Sequence, residues 1–103
     1  VFVTQEQAHI NYAMAESFGD IVFVSANDVP TVSNSLRTEG LLRSMRSVMR
    51  EYIPGRDYIL PSGSPLNIAV VMMLAGQKGD AHNILKWESR SESYAKVALD
   101  ISQ

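Results

Sequence analysis

The chain has no cysteine in its 103 residues. Disulfides and thiolate metal sites are therefore excluded, and a reducing cytoplasm is compatible with the composition. An excess of one charge is also missing. Nine Lys and Arg stand against eleven Asp and Glu, for a formal net charge of -2. No general attraction to nucleic acid or to an anionic membrane follows from that total, and neither is expected as a partner. Long apolar runs are absent too. The longest, Ile68 to Ala75, is far too short to cross a bilayer. Gln5, Glu6, Gln7 and His9 interrupt the start of the chain, so nothing there reads as a signal peptide. An intracellular soluble protein is expected.

Catalytic and metal signatures are scarce as well. His9 and His82 lie far apart, with no HxxxH or His-carboxylate spacing, so no metal site or cofactor is expected. Serine is frequent, but no GxSxG elbow occurs. Asp20 and Asp57 precede apolar runs while Asp28 follows one, which argues against paired carboxylates. These residues favour a non-enzymatic protein over an enzyme.

What is present is a globular composition, 46% hydrophobic and 19% charged. The length suits one domain over residues 1–103. Val1, Phe2 and Val3 read as a short first strand, and "NYAMAESFG" has modest helical character ending at Gly19. Ile21 to Val24 form a continuous apolar run, which predicts a strand covered on both faces. "NDVPTVSNS" reads as loop. A helix is expected from Ser35 or Thr38 to Tyr52. Leu41, Leu42, Met45, Val48, Met49 and Tyr52 share one face, while Arg43, Arg46 and Arg50 share another. "DYIL" predicts a third strand, and Pro65 to about Gln77 a helix apolar nearly all round. The last part alternates as a hairpin, "HNILKWES" against "SYAKVALDI". The expected class is α/β, a small, mostly parallel sheet with crossover helices and a C-terminal β-hairpin.

In an open sheet of this kind, ligands sit beyond the carboxyl ends of the parallel strands. Three loops leave such ends: "SANDVP", "PSGSP" and "ESRSES". They bring Ser25, Asn27, Asp28, Ser62, Gly63, Ser64, Glu88, Arg90 and Ser91 to one edge. "PSGSP" combines a glycine free to take positive φ, two hydroxyls and a helix N-terminus, which together suit a phosphate. It lacks the Lys-Ser/Thr ending of a P-loop and is not GxGxxG. A plain strand-to-helix turn, with Ser64 as cap and Pro65 as first helical residue, fits the same residues. Trp87 can stack on a base with Lys86 and Arg90 beside it, or pack as a half-buried hairpin residue. The arginine stripe can meet an anion, or be a solvated face beside Glu39 and Glu51. The five methionines read as gap-filling core or interface residues.

The run "RDYILPSGSPLNIAVVMMLAG…HNILKWESRSESYAKVALDI" resembles a set of small phage proteins of the form "DYLLxxGDPxxIxxA…LKWDRQxxxYxxxxLxI". The likeness covers residues 56 to 101 and, more weakly, "FGDIVFVS". Gly63, Pro65 and Leu85 to Trp87 match, Ser64 stands where Asp is usual, and "ESR" replaces "DRQ". The resemblance implies a phage origin and a place in the host cytoplasm. Some such proteins act against host defence, one class as sponges that bind cyclic nucleotide signals without cutting them. The expected function is thus non-enzymatic binding of a phosphate-bearing small molecule, with Ser62, Gly63, Ser64, Asn67, Asn27, Trp87 and Arg90 as ligand contacts. The alternative is an interaction module assembling through the apolar helix. A homo-oligomer, dimer or tetramer, is expected in either case, since a sheet hides only one face of that helix.

Overall fold

The computed structural model describes residues 1–31 and 35–102; the Val32 to Asn34 part of the expected loop lies outside them. Among the described residues, five strands and two α-helices follow one another: β1 (Phe2–Val3), a 3-10 helix (Ala13–Phe18), β2 (Val22–Phe23), α1 (Leu36–Met49), β3 (Tyr58–Leu60), α2 (Pro65–Gly76), β4 (Ala81–Glu88) and β5 (Ser93–Asp100). The sheet order is β2-β1-β3-β4-β5. All neighbours are parallel except β4 and β5, which form the antiparallel hairpin. The α/β class read from the sequence is the observed one, and the runs Ile21–Val24 and Asp57–Leu60 share a direction with β1 between them.

The order explains which face each helix takes. The chain first steps from β1 to β2 on one side, then passes back over β1 to β3 and on to β4. Right-handed crossovers made in opposite directions place their connections on opposite faces. Accordingly α1 and α2 cover one face, where Met45, Met49, Val71 and Ala75 pack on Phe2, Val24, Ile59 and Ile84. The 3-10 helix covers the other, where Tyr12 and Ala15 pack on Val3, Leu60 and Leu85.

Helix boundaries follow local chemistry. The Ser35 hydroxyl accepts from the Thr38 N–H, and the Ser64 hydroxyl from the Leu66 N–H with Pro65 at the first helical position, so both helices start at a side-chain cap. The end of α1 leaves carbonyls without helical partners. The Lys78 ammonium donates to two of them, those of Met49 and Arg50, and to the Tyr52 carbonyl in the turn that follows, at 2.6–2.8 Å.

Two expectations are corrected. The apolar run at Ile21–Val24 is not covered on both faces: Val22 and Phe23 are 36% and 37% exposed, because β2 is an edge strand paired only with β1. Helix α2 does have a solvent face. Asn67, Val71 and Ala75, at four-residue steps, are buried, while Leu66 and Met73 remain 45% and 71% exposed. The sheet and α1 fully bury only the stripe of Asn67, Val71 and Ala75, so an all-apolar sequence is not an all-buried one.

Candidate functional site

The direction of winding reverses between β1 and β3, and in a doubly wound sheet the crevice beyond the carboxyl ends at that point is the favoured ligand position. Here the crevice holds a network of the chain's own polar groups. Thr4 ends β1. Its hydroxyl donates to the Ser62 carbonyl at 2.6 Å and accepts from the Ser62 N–H at 2.7 Å. The Gln5 side chain crosses to the start of α2, where its Oε1 accepts from the Ser64 N–H at 2.7 Å. Its Nε2 donates to Asp28 at 2.6 Å. Asn67, fully buried, donates to the Ser25 hydroxyl and the Asn27 carbonyl and accepts from the Val29 N–H. The Ser25 hydroxyl donates in turn to the Thr4 carbonyl. Among the described residues no buried side-chain polar atom lacks a partner, as a low-dielectric interior requires.

The network gives "PSGSP" its geometry. Gly63 has φ +87°, and a Cβ there would collide with the Gln5 side chain, coming within 2.7 Å of its Cβ. Glycine is required for the approach of Gln5. The α2 N-terminus therefore meets a side-chain amide oxygen of this chain. Ser62 is buried, and its hydroxyl bonds the Tyr12 hydroxyl at 2.8 Å.

Tyr12 belongs to both the network and a cavity next to it. Strand β3 stops at Leu60, level with Leu85, while β4 runs on to Glu88. The gap opens into a cavity of about 660 Å³ walled by Tyr12, Leu60, Leu85, Lys86, Trp87 and Tyr94, among others. Trp87 is 45% exposed and stands edge-on to Tyr94, ring centres 5.0 Å apart. Burial first, and then neighbouring Tyr12, push the Tyr94 phenol above its ordinary pKa. Lys86 reaches only a loose, exposed pair with Glu88 at 3.9 Å. Backbone groups point alternately to either side along a strand. The Ile101 N–H bonds the Asp80 carbonyl, so even-numbered residues of β4 face β5. The Trp87 N–H and C=O then face the side that β3 has vacated.

The sequence-predicted residues thus fall into two groups on one edge. Ser62, Gly63, Ser64, Asn67 and Asn27 gather at the switch point, Asn27 through its carbonyl. Trp87 lines the adjoining cavity, and Arg90 is exposed in the hairpin turn beyond it. Thr4, Gln5 and Tyr12 were missed, although "VFV" reads as a strand whose following loop also leaves a carboxyl end. The arginines at 43, 46 and 50 are exposed along α1, away from this cavity's lining. His82 is a core residue. Its Nε2–H donates to the Gly79 carbonyl and its Nδ1 accepts from the Tyr52 hydroxyl. No group of three or more potential metal ligands forms among the described residues, nor is any of their helices long and apolar enough to cross a membrane.

Fold and site together define a small doubly wound α/β protein with a ligand-sized cavity beside its switch point. The chain belongs to the phage Pam3 gp32-like protein family, whose model matches residues 1–101. No curated protein and no solved structure matches it.

Proposed function

We propose that this phage protein binds and sequesters, without turnover, a planar aromatic molecule carrying an anionic group, with nucleotides as the first candidates and a cyclic nucleotide immune signal in the host cytoplasm among them. The cavity beside the switch point carries this reading. Its volume falls within the roughly 300–1,000 Å³ of small-molecule sites. Its wall is mainly aromatic and aliphatic, which suits a base ring. Stacking of a base on an aromatic side chain is worth about 1–3 kcal/mol. Trp87 offers the stacking surface and its main chain a donor and an acceptor for the ring edge. Lys86, and Arg90 from the turn, supply positive charge for the phosphate. The assignment leaves Ser62, Gly63, Ser64, Asn67 and Asn27 as the frame that holds the cavity's Tyr12 side. For them to contact phosphate directly, Gln5 would have to release the Ser64 N–H.

Absence of turnover is proposed on chemistry. The network's hydroxyls are engaged with each other and with backbone, and the described histidine nearest the core, His82, serves Tyr52. A thermal-shift and calorimetric screen with mononucleotides, cyclic dinucleotides and inorganic phosphate tests the proposal, with chromatography of the recovered ligand. Saturable binding of an aromatic nucleotide, weakened about tenfold or more by Trp87→Ala and returned intact, is expected. Binding of phosphate alone with equal strength would move the site to the α2 N-terminus. Conversion of the ligand would replace sequestration by catalysis.

A further inference from the structure

Strand β5 is the longest exposed edge of the sheet. It runs for eight residues, Ser93–Asp100, and among the described residues β4 is its one neighbour in the sheet. Natural edges of this length are usually blunted by proline, a bulge or inward charge, because unpaired backbone groups template pairing with another strand. Strand β5 has no proline, and its register with β4 runs without a bulge from Ala81↔Asp100 to Glu88↔Ser93; the inward lean of Lys96 over Tyr58 is the one such device it carries among the described residues. Since the Ile101 N–H bonds Asp80, the odd-numbered residues of β5 face β4. The N–H and C=O groups of Tyr94, Lys96, Ala98 and Asp100 point outward.

We propose that a second copy of this chain pairs antiparallel with this edge, making one continuous sheet across a two-fold dimer. Charge selects the register. Outward-facing residues must pair with outward-facing residues, so only even-numbered positions face each other across the new hydrogen bonds. Centring the axis on Ala98 sets Lys96 opposite Asp100 of the partner subunit, and the two-fold repeats the pair in reverse. Centring on Lys96 would oppose like charges, as would centring on Asp100. Centring on Val97 or Leu99 leaves both charges unmatched. The Ala98 register yields about six main-chain hydrogen bonds and two opposite-charge pairs.

The two faces of the strand agree with that register. Lys96 stands on the 3-10 helix side and leans inward across β4, its ammonium 5.8 Å from the centre of the Tyr58 ring, so it must swing to the outer edge to meet the partner. Asp100 shares that face by the two-residue period, its Oδ1 accepting from the Ser102 N–H. On the other face lie Ala95, Val97, Leu99 and Ile101, with Leu99 49% and Ile101 76% exposed. Antiparallel pairing about Ala98 sets Val97 beside Leu99 of the partner subunit, extending that apolar row. Val97 and Leu99 also line the cavity described above, so the second copy borders the ligand site without being required for it. This closed, isologous contact caps the edge that would otherwise propagate.

Light scattering after size exclusion, without any ligand, tests the interface independently of the binding proposal. A mass of about twice 11.4 kDa at micromolar concentration is expected. Ala98→Pro removes an outward N–H and leaves the β4 ladder intact, so it should give a folded monomer by circular dichroism. Lys96→Asp should weaken the dimer about tenfold or more, and the swap Lys96→Asp with Asp100→Lys should restore it. That rescue also guards against a variant that fails for reasons of folding. A wild-type chain that stays monomeric overturns the proposal, as does a dimer whose mass and affinity survive both Ala98→Pro and Lys96→Asp.

Discussion

Gly63 shows how one residue can carry opposite meanings. In the sequence, a glycine between two serines at a helix start suggests room for a phosphate. In the structure the room is occupied by Gln5, whose amide oxygen takes the Ser64 N–H. Nothing local in "PSGSP" points to a residue 58 positions earlier. A prediction follows at this scale. Gly63→Ala combines a left-handed backbone, φ +87°, with a collision against Gln5. Backbone strain of this kind costs about 1–3 kcal/mol, and displacing Gln5 breaks its bonds to Ser64 and Asp28. The variant should therefore lose about 2 kcal/mol or more in urea unfolding. If Gly63→Ala unfolds like the wild type but loses ligand, the glycine serves a ligand and not Gln5.

At the scale of elements, most of the chain was legible. Ser35, Ser64 and Pro65 start the two helices where their chemistry directs, and the alternation of β4 and β5 survives as a register of eight pairs. The burial of each element was less legible, because it depends on sheet position. An apolar run such as Ile21–Val24 reads alike in a central and an edge strand. The same holds for α2, whose exposed stripe is set by where α1 lies. Contacts between elements were not legible at all. Lys78 closing the end of α1 is one, and the bond from Tyr52 to His82, which ties the turn after α1 to β4 at 2.6 Å, is another. The second has a pH signature. Burial, and then the charge of Asp57, push the Tyr52 phenol from 10.0 up to about 12. A folded pKa above the unfolded one gives a contribution that is complete below pH 10 and lost as pH rises towards 12. Stability should fall over that window in the wild type and fall less steeply in Tyr52→Phe. The variant should also be less stable at neutral pH by about 1 kcal/mol, because His82 Nδ1 loses its donor. Identical pH profiles would show that Tyr52 ionises as freely folded as unfolded.

The whole molecule combines a frame and an opening. The frame is the polar network that locks the β1, β2 and β3 loops together at the switch point. The opening is the gap left where β3 stops short of β4. The sequence brings the candidate residues to one edge, and the structure does the same, because strands separated by helices run parallel. Their division between frame and cavity was not visible, since the order β2-β1-β3 puts Thr4, Gln5 and Tyr12 between loops that the chain separates by dozens of residues. Trp87 is the sole tryptophan and lines the cavity, so its fluorescence reports on this opening directly. Titration with mononucleotides and cyclic dinucleotides should change the emission saturably and shift its maximum as a base covers the indole, with inorganic phosphate leaving it unaltered. An emission spectrum that no nucleotide perturbs, at concentrations where calorimetry also detects no heat, would contradict a nucleotide site in this cavity.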